Sequence, residues 1–191
     1  MAEKELNLSL ILEGCLKENR NSQARLYKYY FGYGLSVALR YAKGREEALE
    51  ILNDAFLKVF TKLDQYDSAY PFKVWFRKIL VHTAIDYHRK HHKNPDFVEL
   101  DALNESPVIE QENYPDLNPD QDVLPVLQKL TPIYRMVFNL FVMEGYKHQE
   151  IAEKLNISVS ASRSNLTRAK VRLRKMLDSS SSFSTKSREN G

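Results

Sequence analysis

Apolar residues recur at steps of three and four along most of this chain, and strict alternation over the length of a strand is missing. The pattern therefore predicts helices. In the first half, Gly44 and Pro71 mark breaks between predicted helices. We expect these helices over Leu6–Leu16, from a Ser22 cap to about Lys43, over about Arg45–Leu63 and over about Phe72–His91.

The same period returns near the C-terminus in three closely spaced segments. Thr131 and Pro132 open the first, which ends at Gly145, and the second covers His148–Leu155. The third starts at Val159 after a three-residue turn. Its predicted buried face consists of Val159, Ser162, Leu166, Ala169, Leu173 and Met176. Two short helices joined by so short a turn predict a helix-turn-helix.

A non-periodic acidic segment separates the two helical blocks. Residues 94–122 carry 9 Asp and Glu and no Lys or Arg, whereas residues 1–93 carry 16 Lys and Arg against 11 acids, and residues 123–191 carry 12 against 5. This predicts an all-α protein with helical domains at 1–93 and 123–177, a flexible linker at 94–122 and a disordered Ser-rich tail at 178–191. The acidity of the linker either serves solubility or mimics nucleic acid toward a basic surface.

Composition excludes several classes of protein. The single cysteine, Cys15, excludes a disulfide framework, and 43% hydrophobic residues suffice for a packed core. No apolar run is long enough to span a bilayer and no secretory signal is evident, so we expect a cytoplasmic protein. The sequence contains no nucleophile elbow, no Gly-rich phosphate loop and no carboxylate pair typical of an active-site cleft. We therefore expect no enzymatic activity, cofactor or metal.

Basic and small polar residues lie off the buried face of the last predicted helix. A helix of this kind fits the major groove of B-DNA, where Arg163 can donate two hydrogen bonds to a guanine. Arg168, Arg172 and Lys175 are placed to neutralise phosphates. The alternative is an ordinary amphipathic helix with a solvated basic face. The predicted DNA-binding residues are Ser160, Ala161, Arg163, Ser164, Arg168, Arg172 and Lys175.

Two runs of the sequence resemble one family. Region four of bacterial sigma factors, in the extracytoplasmic-function (ECF) branch, is similar to LTPIYRMVFNLFVMEGYKHQEIAEKLNISVSASRSNLTRAKVRLRKML. Region two of the same branch is similar to REEALEILNDAFLKVFTKLDQYDSAYPFKVWFRKILVHTAIDYHRKHHK. The resemblance implies a non-enzymatic specificity subunit that binds core RNA polymerase and directs promoter recognition and melting. It also admits an anti-sigma factor as a partner.

The resemblance assigns roles to the first block. Glu50, Asn53 and Asp54 match the segment that docks on the polymerase clamp, and Glu47 shares their acidic helix face, although a merely solvated face is the alternative. The fourth predicted helix and the loop before it match the part that holds single-stranded bases of the minus-ten element. Tyr66 and Tyr70 either stack on a base or serve only in packing. The residues implied to contact DNA are Tyr66, Tyr70, Lys73, Arg77, Lys78, His82, Arg89 and Lys90.

Three positions depart from the family pattern. Where Ser162 stands, the family usually carries an aliphatic residue, and the buried face also calls for one. We expect Ser162 either to bond to a carbonyl of the preceding helical turn or to leave a small void. His82 replaces a frequent Asn, and Ala161 replaces a usual Thr, so the preferred promoter sequence is expected to differ.

Other interpretations remain open at this level. His88 and His92 are four residues apart, a spacing that can bind zinc, but the neighbouring Arg89, Lys90 and Lys93 would repel a cation. A transcriptional regulator that binds duplex DNA without polymerase would explain the C-terminal motif but not the first block. A helical adaptor between proteins is a third class.

Overall fold

The computed structural model describes residues 7–91 and 124–186 of the chain. In these ranges it contains α-helices, a 3₁₀ turn and a π-helical segment, and no strand, which confirms the all-α prediction. The chain folds as two compact units, Met1–Asp86 and Tyr87–Gly191. The division lies seven residues before the domain boundary predicted at residue 93. The predicted linker, 94–122, lies outside the described residues.

The described part of the N-terminal unit is built from helices with short connections, the last of which continues past the limit of the unit at Asp86. The helices are α1 (Leu8–Leu16), α2 (Arg20–Leu39), α3 (Arg45–Thr61) and α4 (Phe72–His91), with a 3₁₀ turn at Leu63–Gln65 between α3 and α4. The bounds of α4 agree with the prediction. Pro71 precedes the first residue of α4, and a proline is well tolerated at the start of a helix but not in its interior.

Aromatic rings fill the centre of this unit. Phe76 is completely buried, and its ring packs against those of Phe56 and Tyr30 at centroid distances of 4.9 and 5.9 Å. Leu52 and Phe76 pack directly against the backbone of α2 at Gly34. A Cβ atom at this position would lie 2.5 Å from Leu52 Cδ1 and 3.1 Å from Phe76 Cζ. Burial of such large rings is the main source of stability for a domain of this size.

The predicted start of the second helix is wrong by a few residues. Asn19, and not Ser22, is the N-cap of α2, since its side-chain oxygen accepts the backbone N–H of Ser22 at 3.1 Å. The helix also ends earlier than expected, at Leu39. Tyr41 and Ala42, which lie between α2 and α3, are still buried. Their apolar side chains therefore extended the predicted helix beyond its actual end.

The C-terminal unit contains four more helices. These are α5 (Leu124–Gln128), α6 (Pro132–Phe138), α7 (His148–Leu155) and α8 (Val159–Lys186), with a π-helical segment at Asn139–Met143 after α6. The start of α6 at Pro132 and both ends of α7 were predicted. The short α5 was not, because five residues are too few to show a period.

The segment after α6 differs from the single helix expected there. Asn139 is completely buried, and its side-chain amide donates to the carbonyl oxygen of Arg135 at 2.9 Å, where the backbone widens into the π-helical segment. Gly145, with a φ of +75°, ends this stretch as predicted, because glycine reaches that conformation without steric cost.

The last helix is longer than predicted. Residues 178–186, expected to be disordered, continue α8 to Lys186. Neither Gly nor Pro occurs between Leu177 and Lys186, and each residue added to an existing helix costs far less than starting one. The composition of this segment therefore did not act as a stop signal. Residues 187–191 lie outside the described part.

Candidate nucleic-acid and polymerase interfaces

The turn between α7 and α8 has the geometry of a helix-turn-helix. Asn156 adopts a left-handed conformation with a φ of 55°, which reverses the chain direction directly after α7. The hydroxyl of Ser158 accepts the backbone N–H of Ala161 at 3.0 Å and caps the start of α8. At the other end of α7, the Glu150 carboxylate accepts the N–H of Lys147 at 2.7 Å.

The exposed face of α8 carries most of the predicted duplex-binding residues. Ser160, Arg163, Ser164 and Lys175 are exposed, while Ala161, Arg168 and Arg172 are half-buried. The opposite face is buried at Ser162, Leu166, Ala169 and Leu173, as the periodicity predicted. Val159 and Met176, at the two ends of the predicted face, are only half-buried. The guanidinium of Arg172 lies 5.1 Å from the ring centroid of Tyr134, so this residue also packs against its own unit.

Two residues of this face were missed from the sequence. Thr167 is exposed three residues after Ser164, and Val171 is exposed four residues after Thr167, so all three share one side of the helix. The hydroxyl of Thr167 donates to the Arg163 carbonyl at 3.2 Å, within the helix. The signal that could have found them is helical spacing alone, because neither residue carries charge.

The loop before α4 separates the roles of its two tyrosines. Tyr66 is half-buried, packs edge-on against Phe72 at 5.4 Å, and donates its hydroxyl to the Tyr70 carbonyl at 2.6 Å. Burial, with the nearby Asp67 carboxylate as a further cause, raises the pKa of the Tyr66 phenol. Tyr70, in contrast, is 65% exposed. Tyr66 thus holds the loop, and Tyr70 is the ring available for stacking.

The exposed side of α4 is predominantly basic. Lys73, Lys78, His82, Arg89 and Lys90 are exposed, and Arg77 is half-buried. The ammonium of Lys73 lies 4.5 Å from the centroid of the Tyr33 ring. Asp86 also reaches this side, where its carboxylate accepts from Lys58 of α3 at 2.8 Å. Val74, which the sequence analysis did not single out, adds an apolar contact surface at 47% exposure.

The four predicted polymerase-binding residues divide into two pairs. Glu47 accepts the backbone N–H of Lys43 at 2.7 Å, and Asn53 accepts the Tyr27 hydroxyl at 3.0 Å, so both stabilise the fold. Glu50 and Asp54 are exposed, and the described residues offer neither of them a hydrogen bond or ion pair. Leu57, one turn further along the same face, is 63% exposed and was missed.

A part-buried polar contact lies on the inward side of α8, opposite its exposed face. Ser162 Oγ lies 2.9 Å from His148 Nδ1, at hydrogen-bonding distance. The partner of Ser162 is therefore a side chain fourteen residues away, and not the carbonyl of the preceding helical turn that one alternative expected. Burial, with Arg163 and Lys170 as further causes, lowers the pKa of the His148 imidazole.

The described ranges contain neither a metal-binding cluster nor a membrane-spanning helix. No cluster of three or more His, Cys, Asp or Glu suited to a metal occurs there, and His92 of the suggested zinc pair lies outside them. Among the helices described, none combines the length and hydropathy that crossing a bilayer requires.

Curated relatives resemble this chain over much of its length. It is 26% identical over 169 residues to RNA polymerase sigma factor SigV of Bacillus subtilis, covering 87% of this chain and 91% of that protein. It is 27% identical over 176 residues to RNA polymerase sigma factor YlaC of the same organism, covering 90% and 97%. The ECF RNA polymerase sigma factor SigW, also of Bacillus subtilis, is 28% identical over 144 residues and covers 69% and 75%.

Family models match both units. Residues 26–94 match the model for sigma-70 region 2, and residues 121–173 match the model for sigma-70 region 4. Among solved structures, the sigma factor RpoE in complex with the anti-sigma factor NepR from Bartonella quintana is 20% identical, with a TM-score of 0.44 over 81% of this chain and 96% of that one. The two models lie in order and together match more than half of the chain, which therefore belongs to the sigma-70 family of transcription initiation factors.

Proposed function

We propose that this chain is a specificity subunit that binds core RNA polymerase through α3 and places promoter DNA with α4 and α8. The observation that carries the proposal is the pairing of two oppositely charged surfaces within the N-terminal unit. One is the clamp-docking face, defined as Glu50, Asp54 and Leu57 of α3. The other is the basic side of α4 described above. A regulator that bound only duplex DNA would have no use for the acidic face.

The clamp-docking face has the composition of a protein interface. Leu57 supplies an exposed apolar anchor, and Glu50 and Asp54 flank it with charges that can pair with a basic partner. Like charges four residues apart on a helix slightly destabilise it in isolation. A basic partner surface would relieve that repulsion, so the arrangement favours a bound state.

The basic side of α4 suits single-stranded bases. A flipped base needs a ring or apolar surface to stack on and cations to hold its phosphates. Tyr70 supplies the exposed ring, Val74 an apolar surface at the start of the helix, and Lys78 an exposed charge one turn further along. We assign this surface to the minus-ten element. Tyr66 acts through the loop that carries Tyr70.

The exposed face of α8 suits the duplex minus-thirty-five element. Arg163 and Ser164 lie within the first two turns of the helix, the part that meets base edges when such a helix enters the major groove. Arg168 and Lys175 lie further along and are assigned to phosphates. The polymerase performs the chemistry, so we assign no catalytic activity, cofactor or metal to this chain.

The remaining expectations follow from this assignment. A subunit of RNA polymerase would act in the cytoplasm, and the ECF-named relatives support placing the chain in that branch. The domain limits 1–93, 94–122 and 123–177 stay proposals. An anti-sigma factor remains an admissible partner that would compete for one of the three surfaces.

Transcription in vitro tests the proposal directly. The full chain is combined with core RNA polymerase and a library of duplexes randomised over the two promoter elements. We expect transcripts that start at discrete sites and depend on the added chain. Transcripts identical to those of the core enzyme alone would refute the proposal.

A charge reversal tests the clamp-docking face. We expect Asp54→Lys to weaken association with core RNA polymerase by about tenfold or more, because it places a cation against a basic partner. Glu13→Lys is the matched control, since Glu13 is also an exposed acid but lies on α1, where it pairs with Lys17. Equal association of both variants with the polymerase would remove Asp54 from the interface.

A further inference from the structure

The hydrogen-bonded pair of half-buried His148 and buried Ser162 joins three elements of the C-terminal unit. Ser162 faces inward from α8 and is completely buried. His148 is the first residue of α7, and its Nδ1 lies 2.9 Å from Ser162 Oγ. Its ring stacks on Phe141 of the π-helical segment, with centroids 4.6 Å apart and planes inclined by 22°. The imidazole of His148 therefore stacks face-on against the π-helical segment and bonds through its edge to α8.

The electrostatic surroundings favour the neutral ring. Burial and the positive charges of Arg163 and Lys170 all lower the pKa of the imidazole. A neutral imidazole has one donor and one acceptor nitrogen, and a hydroxyl can complement either. A serine at position 162 thus forms a bond with the ring in both tautomers. The contact is directional, unlike the packing of an aliphatic side chain.

The directionality of this hydrogen bond is important for DNA binding, because Ser162 is adjacent to Arg163. A rotation of α8 by about 20° about its axis would displace side-chain atoms at its outer radius by about 2 Å. A shift of that size is enough to break a hydrogen bond to a base edge. Close packing of the apolar side chains resists such a rotation, and the directional hydrogen bond opposes it further.

We propose that His148 is a positioning residue, which acts through Ser162 to fix the rotation of α8 and so the direction in which Arg163 and Ser164 meet duplex DNA. The inference rests on the proposed function, because it deepens the role of α8 in reading the upstream element. His148 itself does not touch the DNA in this arrangement.

The test uses the full chain bound to core RNA polymerase. Preferred duplexes are first selected with the unmodified protein from a library randomised over the upstream element. The affinity for a selected duplex is then divided by that for a random duplex, because this ratio does not depend on how much of a preparation is folded. The variants are Ser162→Ala, His148→Phe, which keeps a stacking ring, and the double variant.

We expect each single variant to lower this ratio about tenfold, which corresponds to the loss of one good base contact. The double variant should lower it no further, since the two residues act through one bond. His148→Asn keeps a hydrogen-bonding atom near the position of Nδ1 and should retain more of the ratio than His148→Phe.

Ile151→Val is the control for lost stability. It removes one buried methylene group from the same helix and leaves both members of the pair in place. We expect it to lower the melting temperature and leave the ratio unchanged. Additive effects of the two single changes, or an unchanged ratio in every variant, would overturn the inference alone. Failure of the unmodified protein to select any duplex would overturn the proposed function and the inference with it.

Discussion

The two units of this protein bury different kinds of side chain. The N-terminal unit is centred on aromatic rings, among them Phe72 and Phe76, which are both nearly inaccessible to solvent. The C-terminal unit buries polar groups among its aliphatic side chains, including Arg135, Asn139 and Ser162. Burial of apolar surface is non-directional, whereas a buried polar group requires a partner in a defined place.

This difference predicts how each unit connects stability to function. In the N-terminal unit, the clamp-docking face and the basic side of α4 lie on the surface of a core that is apolar except for Thr83. Changes at the exposed Asp54 or Lys78 should therefore leave folding intact. In the C-terminal unit, the part-buried contact of His148 with Ser162 lies one residue from Arg163. Changes to His148 or Ser162 should therefore alter both folding and DNA recognition, whereas a change of apolar packing such as Ile151→Val should alter folding alone.

The largest expected effect is on the aromatic core. Phe76→Ala should lower the free energy of unfolding of the N-terminal unit by about 3–5 kcal/mol, because it leaves a cavity among the surrounding rings. The fluorescence of Trp75, the single tryptophan of the chain, reports the unfolding of this unit by urea. Phe76→Leu is the control and should cost clearly less. Equal losses for both would show that the site collapses around the smaller residue.

The corresponding change in the C-terminal unit is Arg135→Met. Arg135 is 2% exposed, and its guanidinium donates to the carbonyl oxygens of Leu130 and Gln128 at 2.9 and 3.4 Å. Loss of hydrogen bonds from a charged donor should lower the free energy of unfolding by about 2–3 kcal/mol. Hydrogen exchange in α6–α8 measures it. An unchanged value would mean that the desolvation of the charge had offset its hydrogen bonds.

At the recognition face, Arg163→Ala should reduce discrimination between a selected and a random duplex by about 1–3 kcal/mol. Lys175→Ala should instead weaken binding to both duplexes equally and reduce the salt dependence by about one phosphate contact. Titrations of the polymerase-bound protein at several salt concentrations separate the two behaviours. Equal losses on both duplexes for Arg163→Ala would mean that Arg163 contacts phosphate.

The smallest effect concerns pH. The pKa of His148 lies below its ordinary value of 6.5 in the folded unit, so the unfolded chain binds a proton more readily. Stability of the C-terminal unit should therefore be complete above about pH 6.5 and decline as the pH falls through the lowered folded pKa. His148→Phe should remove this part of the decline. Hydrogen exchange of α7 and α8 between about pH 7 and 5 checks it, and identical profiles would contradict it.

The alternation of helix and break was readable in the sequence because its causes are local. Pro71 and Pro132 fix where α4 and α6 begin, Gly145 ends the segment after α6, and the spacing of Leu166, Ala169 and Leu173 defines the buried face of α8. These features depend on backbone conformation and on periodicity within one helix. The segregation of charge between the helical blocks and the acidic segment is likewise a property of the chain alone.

Only the tertiary structure decided which side chains became partners. The sequence cannot show that Ser162 meets His148, that Tyr66 holds the loop while Tyr70 stays exposed, or that Leu57 lies outside the core. Each of these facts depends on which surfaces of separate helices meet, and this is settled by packing over the whole unit. Local patterns thus determined the helices and their charged faces, while the contacts between helices determined which residues remain free to bind polymerase and DNA.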